Sequence, residues 1–379
     1  MPLIDIRQHG GKFGGGGYSI GSKIPSKRVT SLQVEKITSF PILSNLNIFD
    51  IYFFNGYFYV IGHDNSANKD TIIKYDKKGI LIWSYNHPAP VKSHILYYYN
   101  GYLYFGSHLS SIVCKLNEVD GSYVYYTAPS NISNFYGYNG FFVVICSNQN
   151  VILLDSNLSV LHTLGTLYTP DDGSEQLIGY GNTFYLSSNG WSALEKFQID
   201  VANKKLVKGW TNASPNRFWH LIAVNDSYVM VYAYGDRALR SYKTDDGTQP
   251  YGTTAYTYDA IYRNKTVTSG NYVCFIYKTT IRKIGFDCKE LYSYDIGTGL
   301  CGILTDNGYL YVTANDKKLY KYKLAGDNLM WGFSYENNIG ADVLAIDDDG
   351  VVWLRDNAYS GGVSTDKIHL VRDYYQVLR

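Results

Sequence analysis

Four of the chain's eight histidines, His63, His87, His94 and His108, lie between positions 63 and 108. Imidazole nitrogens bind divalent metals, and Asp64, beside the first of them, can add an oxygen ligand. His63, His94 and His108 are therefore the candidate metal ligands. A His-x-x-His pair on a helix would specify a site. Histidines scattered over loops also serve as polar loop residues bonded to backbone, and the expectation is no bound metal and no cofactor. A second group is "SPNRFWHL" at Ser214–Leu221. Arg and Trp are favoured at binding hot spots, and a Trp face stacks on a sugar ring, so Arg217, Trp219 and His220 form a candidate ligand site. Trp191 adds a second indole nearby. The competing expectation is that Trp219 packs within the fold.

Other motifs resolve to turns and loops. "AIDDDGVVW", with Asp347, Asp348 and Asp349, lacks the alternating ligands over twelve residues that an EF-hand needs. It reads as a hairpin turn, where Asp is common for backbone reasons. "TPDDGSEQ" at Thr169–Gln176 reads as a polar loop. There is no GxxxxGK[ST] and no HExxH. "GGKFGGGG" superficially resembles a phosphate-binding loop but neither follows a strand nor opens a helix. Carboxylates for glycosidase-type acid–base chemistry are present, yet the sequence places no pair at the required separation.

Composition narrows the class. The formal net charge is +1, from 34 basic and 33 acidic residues, which gives no electrostatic case for nucleic acid. No run approaches the ~18 apolar residues of a membrane span. The start, "MPLIDIRQHGGKF", has no apolar core of a secretory signal. Five cysteines, widely spaced and without CxxC, argue against a disulfide framework or zinc cluster. Cys114, Cys146 and Cys274 sit in apolar runs and are expected to be buried thiols. Assembly in a reducing cytoplasm is the expectation.

The elements that must position these residues are repeats. "FFNGYFYVIGHD", "YYNGYLYFGSHL", "GYNGFFVVICSN" and "TDNGYLYVTAND" share an Asn-Gly turn followed by an aromatic, β-forming run. Asn-Gly tolerates the positive φ angles of a type I′ hairpin turn. The turn recurs at Gly56, Gly101, Gly140, Asn182, Asp226, Asn271, Gly308 and Gly350, about 42 residues apart. Each copy carries a strand after the turn, a third strand ("IIKYD", "IVCKL", "VILLD") and a fourth ("ILIWSYN", "SYVYYTA"). Four antiparallel strands per unit of this length is a propeller blade. The spacing predicts an all-β chain: a single eight-bladed β-propeller of four-stranded antiparallel blades, with seven blades as the alternative.

Residues 1–29, rich in glycine, read as a flexible leader, and residues 30–379 as the propeller. Blades are expected near 47–90, 91–130, 131–172, 173–215, 216–259, 260–297, 298–340 and 341–379. The last unit lacks room for a fourth strand, so Ser31–Phe40 is expected to supply it and close the ring. In this register His63, Asp64, His108, Trp191 and Arg237 fall on loops joining second to third strands. His87, His94, Arg217, Trp219 and His220 fall between blades. Both sets open onto one face, where propeller ligands gather.

The strands "ILIWSYN" and "LMWGFSY" resemble the Trp-containing strands of quinoprotein-type propellers. "ADVLAIDDDGVVWLRDN" is similar to the repeat of sensor-kinase periplasmic propellers. The "GH…WD" pair of WD repeats and the double glycine of kelch repeats are absent, as are the adjacent cysteines of quinone-dependent dehydrogenases. The unprocessed start, Gly-rich leader, low charge and Tyr-dense repeats resemble a bacteriophage virion component such as a tail or fibre protein. These resemblances imply architecture and leave function open. The leading expectation is a non-catalytic module presenting a loop face to a protein partner or surface glycan, its N-terminus docking on that partner. The alternatives are a carbohydrate-active lyase or hydrolase with His63, His108, Arg217 and His220 in the axial funnel, and an intracellular scaffold of WD-repeat type.

Overall fold

The structure, a computed structural model, describes residues 34–41, 46–64, 66–87, 96–106, 110–165, 177–188, 193–213, 218–233, 237–254, 266–269, 271–277, 279–306, 308–323, 329–334, 344–356, 359–360, 363–364 and 367–373. Among these, every regular element is a strand.

The strands form eight four-stranded antiparallel sheets, each running from an inner first strand to an outer fourth. Blade 1 comprises Leu46–Phe54, Tyr57–Asp64, Lys69–Tyr75 and Leu81–Asn86. Blade 2 comprises Leu96–Tyr99, Tyr102–Gly106, Ile112–Asn117 and Tyr123–Thr127. Blades 3, 4, 5, 6 and 7 begin at Ile132, Leu177, Phe218, Thr266 and Leu300. Blade 8 takes Leu344–Ile346, Val352–Asp356 and Lys367–Asp373 from the C-terminal region, and its outer strand is the N-terminal Val34–Pro41. That strand pairs antiparallel with the third, from Val34 opposite Asp373 to Pro41 opposite Lys367. The chain is thus an eight-bladed propeller closed by its own N-terminal strand. The leader lies outside the described residues.

Turn chemistry accounts for the hairpins. Asn55 and Gly56 have φ of 48° and 84°, Asn100 and Gly101 47° and 79°, Asn139 and Gly140 47° and 80°. A type I′ turn needs positive φ at both central positions, and its twist matches the strands it joins.

The core lies between blades. Phe58 of blade 1 stacks on Trp353 of blade 8 with centroids 3.6 Å apart, and Tyr104 of blade 2 on Phe142 of blade 3 at 4.0 Å. Buried clusters bridge blades 8 and 1, 1 and 2, 2 to 4, 4 and 5, 5 and 6, 6 and 7, and 7 and 8. A single blade could not cover both of its faces, and its neighbours do so.

Tyrosine has a second role. Third-strand lysines lie over tyrosines that open second strands: Lys74 over Tyr57 (3.8 Å), Lys115 over Tyr102 (4.2 Å), Lys283 over Tyr272 (4.0 Å) and Lys321 over Tyr309 (4.3 Å). Each is a cation–π contact that holds a charged head against an aromatic sheet. One of these lysines, and the third-strand Lys196 of blade 4, also reach the next blade. Lys74 Nζ donates to the Glu118 carbonyl at 2.9 Å and Lys196 Nζ to the Thr244 carbonyl at 2.6 Å. Outer-strand indoles join them, Trp83 on Glu118 at 3.0 Å and Trp210 on Thr244 at 3.1 Å. Tyr104 makes the corresponding contact to the Ser156 carbonyl at 2.8 Å. The outer strands that carry Trp83 and Trp210 are therefore couplings between blades.

Candidate binding face

The ends of second strands and the starts of third strands define one face of the ring. In blade 1 the sequence placed His63 and Asp64 on the connecting loop. They instead complete the second strand, because His63 pairs with Asp70 and Asp64 with Lys69 across the hairpin. His63 Nδ1 lies 2.8 Å from Asp70 Oδ1. The Asp70 carboxylate is only 5% exposed and the His63 side chain 20%. A carboxylate accepts, so Nδ1 donates, and in the neutral ring Nε2 is then the acceptor nitrogen. Phe49, on the inner strand, stacks against the imidazole at 6.5 Å. Asp64 Oδ1 accepts the N–H groups of Ser66 (2.8 Å) and Ala67 (3.1 Å), so this carboxylate shapes its own turn.

His87 corrects the sequence reading. It does not stand on an open loop but is 1% exposed, packed edge-on against Tyr85 and Phe105. Its backbone N–H donates to the Asp70 carbonyl at 2.8 Å, drawing it in behind the blade. His94, His108, Trp191 and Arg217 lie outside the described residues. Trp219 and His220 fall on the inner strand Phe218–Val224 of blade 5, with a bulge between Phe218 and His220.

Arg237 is exposed at the start of the third strand of blade 5, with φ of 54°. The same left-handed geometry recurs immediately before the third strands of blades 1, 3 and 7, at Asn68 (50°), Gln149 (71°) and Lys317 (65°). Gln149 and Lys317 share the same backbone bond, N–H to the carbonyl three residues earlier. The strained φ at Arg237 is thus a repeated turn device. Among the described residues it sets a polar residue on this face in blades 1, 3, 5 and 7. Sequence reasoning found Arg237 and missed Asn68, Gln149 and Lys317, although their common signal, a polar residue just before the third strand, was readable.

In blade 3, Ser130 Oγ accepts the Asn148 backbone N–H at 3.2 Å and lies 3.4 Å from Ser147 Oγ. At the closure seam, the guanidinium of buried Arg355 donates to the Ile48 carbonyl. This pins the inner strand of blade 1 to blade 8.

Among the described residues, the opposite face carries a dense polar cluster. Glu118, buried in a turn of blade 2, accepts from Tyr98 (2.6 Å), Tyr59 (3.1 Å) and Asn55 (3.2 Å), all at the interface with blade 1. Burial, then the adjacent carboxylate, pushes the Tyr98 hydroxyl up to about 12 and Tyr59 further. Burial holds Lys74 below the usual lysine range, opposed in part by Glu118 at 3.6 Å. With its groups partnered across blades, this cluster is cohesive. Among the described residues, Asp347, Asp348 and Asp349 are the one group of three whose ligand atoms come close enough for a metal. Asp347 accepts the N–H groups of Asp349 and Val351, while Asp348 and Asp349 contact Lys77 of blade 1. These carboxylates serve a turn and the seam. Cys114 and Cys274 are buried and their thiols pushed up to about 12 by burial, which keeps them protonated and unreactive at neutral pH.

No protein-family model matches the chain, and no curated protein does. Solved structures do. BamB from Moraxella catarrhalis is similar at 12% identity with a TM-score of 0.60, over 89% of this chain and 100% of that one. The computationally designed Ika8 protein is similar at 13% identity with a TM-score of 0.62, over 87% of this chain and 97% of that one. At these identities the likeness is one of fold.

Proposed function

We propose that the protein is a non-catalytic binding module whose loop face engages a protein or a surface glycan. One observation carries this reading. Among the described residues, Asn68, Gln149 and Arg237 stand exposed in turns on blades 1, 3 and 5, spread around an eight-blade ring. Polar groups distributed in this way suit a broad contact. Trp191, Arg217, Trp219, His220 and His108 belong to the same face in the sequence register and supply candidate aromatic and basic anchors. The resemblance to phage virion components extends the reading to a particle-borne, tail-associated module assembled in the cytoplasm. Mass spectrometry of purified virions tests that extension.

The test of binding is a glycan array run beside a surface-protein array, with the full chain and its Arg237→Ala and His63→Ala variants. Saturable binding weakened about tenfold by Arg237→Ala, without product release, is expected. Binding untouched by every loop-face substitution would overturn it.

The His63–Asp70 pair favours one second reading, a carbohydrate-active lyase or hydrolase. A buried carboxylate that fixes an imidazole tautomer leaves Nε2 as a proton acceptor. Release of unsaturated or shortened sugars, abolished in Asp70→Asn, would decide for it.

A further inference from the structure

The outer strands of a propeller face water, and three of the eight here are guarded by charge. The outer strand of blade 4 carries Lys205 and Lys208, that of blade 6 Glu290 and Asp295, and that of blade 8 Glu35 and Lys36. Among the described residues, the exposed large apolar side chains gather mostly on the uncharged rim of blades 1 and 2. Ile80–Asn86 and Ser122–Ala128 contain no charged residue. Their apolar side chains stand in water: Val119 is 80% and Ile80 60% exposed, and Leu81, Ile82, Tyr123, Val124 and Tyr125 between 44% and 57%.

The two strips are continuous. Tyr85 meets Tyr123 edge-on at 4.8 Å, and Trp83 covers Gly121 in the turn of the next blade. Among the described residues, the outer strand Tyr123–Thr127 pairs with Ile112–Asn117 alone, so its other edge offers ladder groups outward. An unguarded apolar edge is a template for another strand, and native chains keep one only where something covers it.

We infer that this rim is an interface with a second copy of the chain, the two Tyr123–Thr127 edges pairing antiparallel across a two-fold axis near Tyr125. Size and charge argue for that occupant. The seven exposed side chains present roughly 800 Å² to water, taking about 200 Å² for each large side chain, and a standard interface takes about 800 Å² from each partner. The two outer strands themselves carry no charge and meet their own copy without repulsion, as an isologous contact requires. Backbone bonds would join the edges, and aromatic pairs would face one another across the axis. The loop faces of both copies stay open, so the dimer presents two binding faces at once and gains avidity.

Sedimentation of the full chain over a concentration series tests the inference. A species of twice the 42.9 kDa chain mass is expected. Val124→Lys and Val119→Lys, both at exposed positions, should weaken the dimer about tenfold or more with unchanged circular dichroism and melting temperature. Leu291→Lys, on the blade 6 rim, should leave the dimer intact. A monomer at concentrations up to about 100 µM, or a dimer indifferent to both blade 2 variants, would overturn the inference.

Discussion

Trp83 donates its indole N–H to the main-chain oxygen of Glu118, which also accepts from Lys74, so one carbonyl of blade 2 is held by two side chains of blade 1. Trp210 and Lys196 hold Thr244 of blade 5 in the same way. The indole N–H has an energetic role separate from the ring. Trp83→Phe and Trp210→Phe keep most of the packing and lose the bond, and each should cost about 1 kcal/mol in chemical denaturation. Trp83→Ala, which also removes the ring over Gly121, should cost about 3 kcal/mol.

The glycines under these indoles make a sharper comparison. Gly121 and Gly247 occupy equivalent turns with φ of 71° and 73°. A Cβ on Gly121 would sit 3.5 Å from the Trp83 ring, an ordinary contact, whereas on Gly247 it would sit 2.6 Å from Trp210. Gly121→Ala should therefore cost about 1–2 kcal/mol from backbone strain alone. Gly247→Ala should cost a further ~1–3 kcal/mol from overpacking. Equal losses in urea melts would show that the Trp210 ring yields freely.

Alkaline pH should destabilise the ring. Burial pushes Tyr75 up to about 12 and raises Tyr59, Tyr85, Tyr104 and Tyr185 as well. In the unfolded chain these hydroxyls ionise near 10. Above that pH the folded state keeps protons that the unfolded state has released, so stability falls as pH rises, and below it the contribution is fully present. Tyr75 alone accounts for about 1.4 kcal/mol per pH unit between about 10 and about 12. Lys74, lowered by burial, acts in the opposite sense just below the ordinary lysine pKa, one group against five. The urea midpoint should drop between about pH 9.5 and about pH 11, and a flat profile would contradict the burial of these rings.

Closure by the N-terminal strand separates two truncations. Removing residues 1–25 leaves Val34–Pro41 paired with Lys367–Asp373 and should leave the melting temperature unchanged. Removing residues 1–45 exposes the third strand of blade 8 along its edge and should lower the melting temperature sharply, with aggregation. Similar melting curves for both would refute closure as a source of stability.

Much of this architecture was legible because turn chemistry is local. Asn-Gly at 55–56, 100–101 and 139–140 announces a type I′ turn without reference to the rest of the chain, and counting the turns gives the blades. Side-chain partnerships were less legible because they cross blades. Glu118 reads as a turn residue until Asn55, Tyr59 and Tyr98 arrive from blade 1 and from its own blade. A lysine at one position in the third strands of five blades, Lys74, Lys115, Lys196, Lys283 and Lys321, was the readable trace of that coupling. His63 was sought on a loop because the hairpin was ended too early. Extending the pairing by two residues places it opposite Asp70. His87 looked polar and terminal, and its burial between Tyr85 and Phe105 depends on the neighbouring blade.

Among the strands of the ring, Val34–Pro41 is synthesised first and its partner, Lys367–Asp373, last. At about 5–20 residues per second the interval is roughly 15–65 s. During that time seven sheets can assemble into an open arc, with Leu344–Ile346 still unmade and the early strand held by nothing. Fidelity of assembly is then a matter of timing as well as of energy. The chain must keep an unpaired strand away from every other edge until its own third strand arrives.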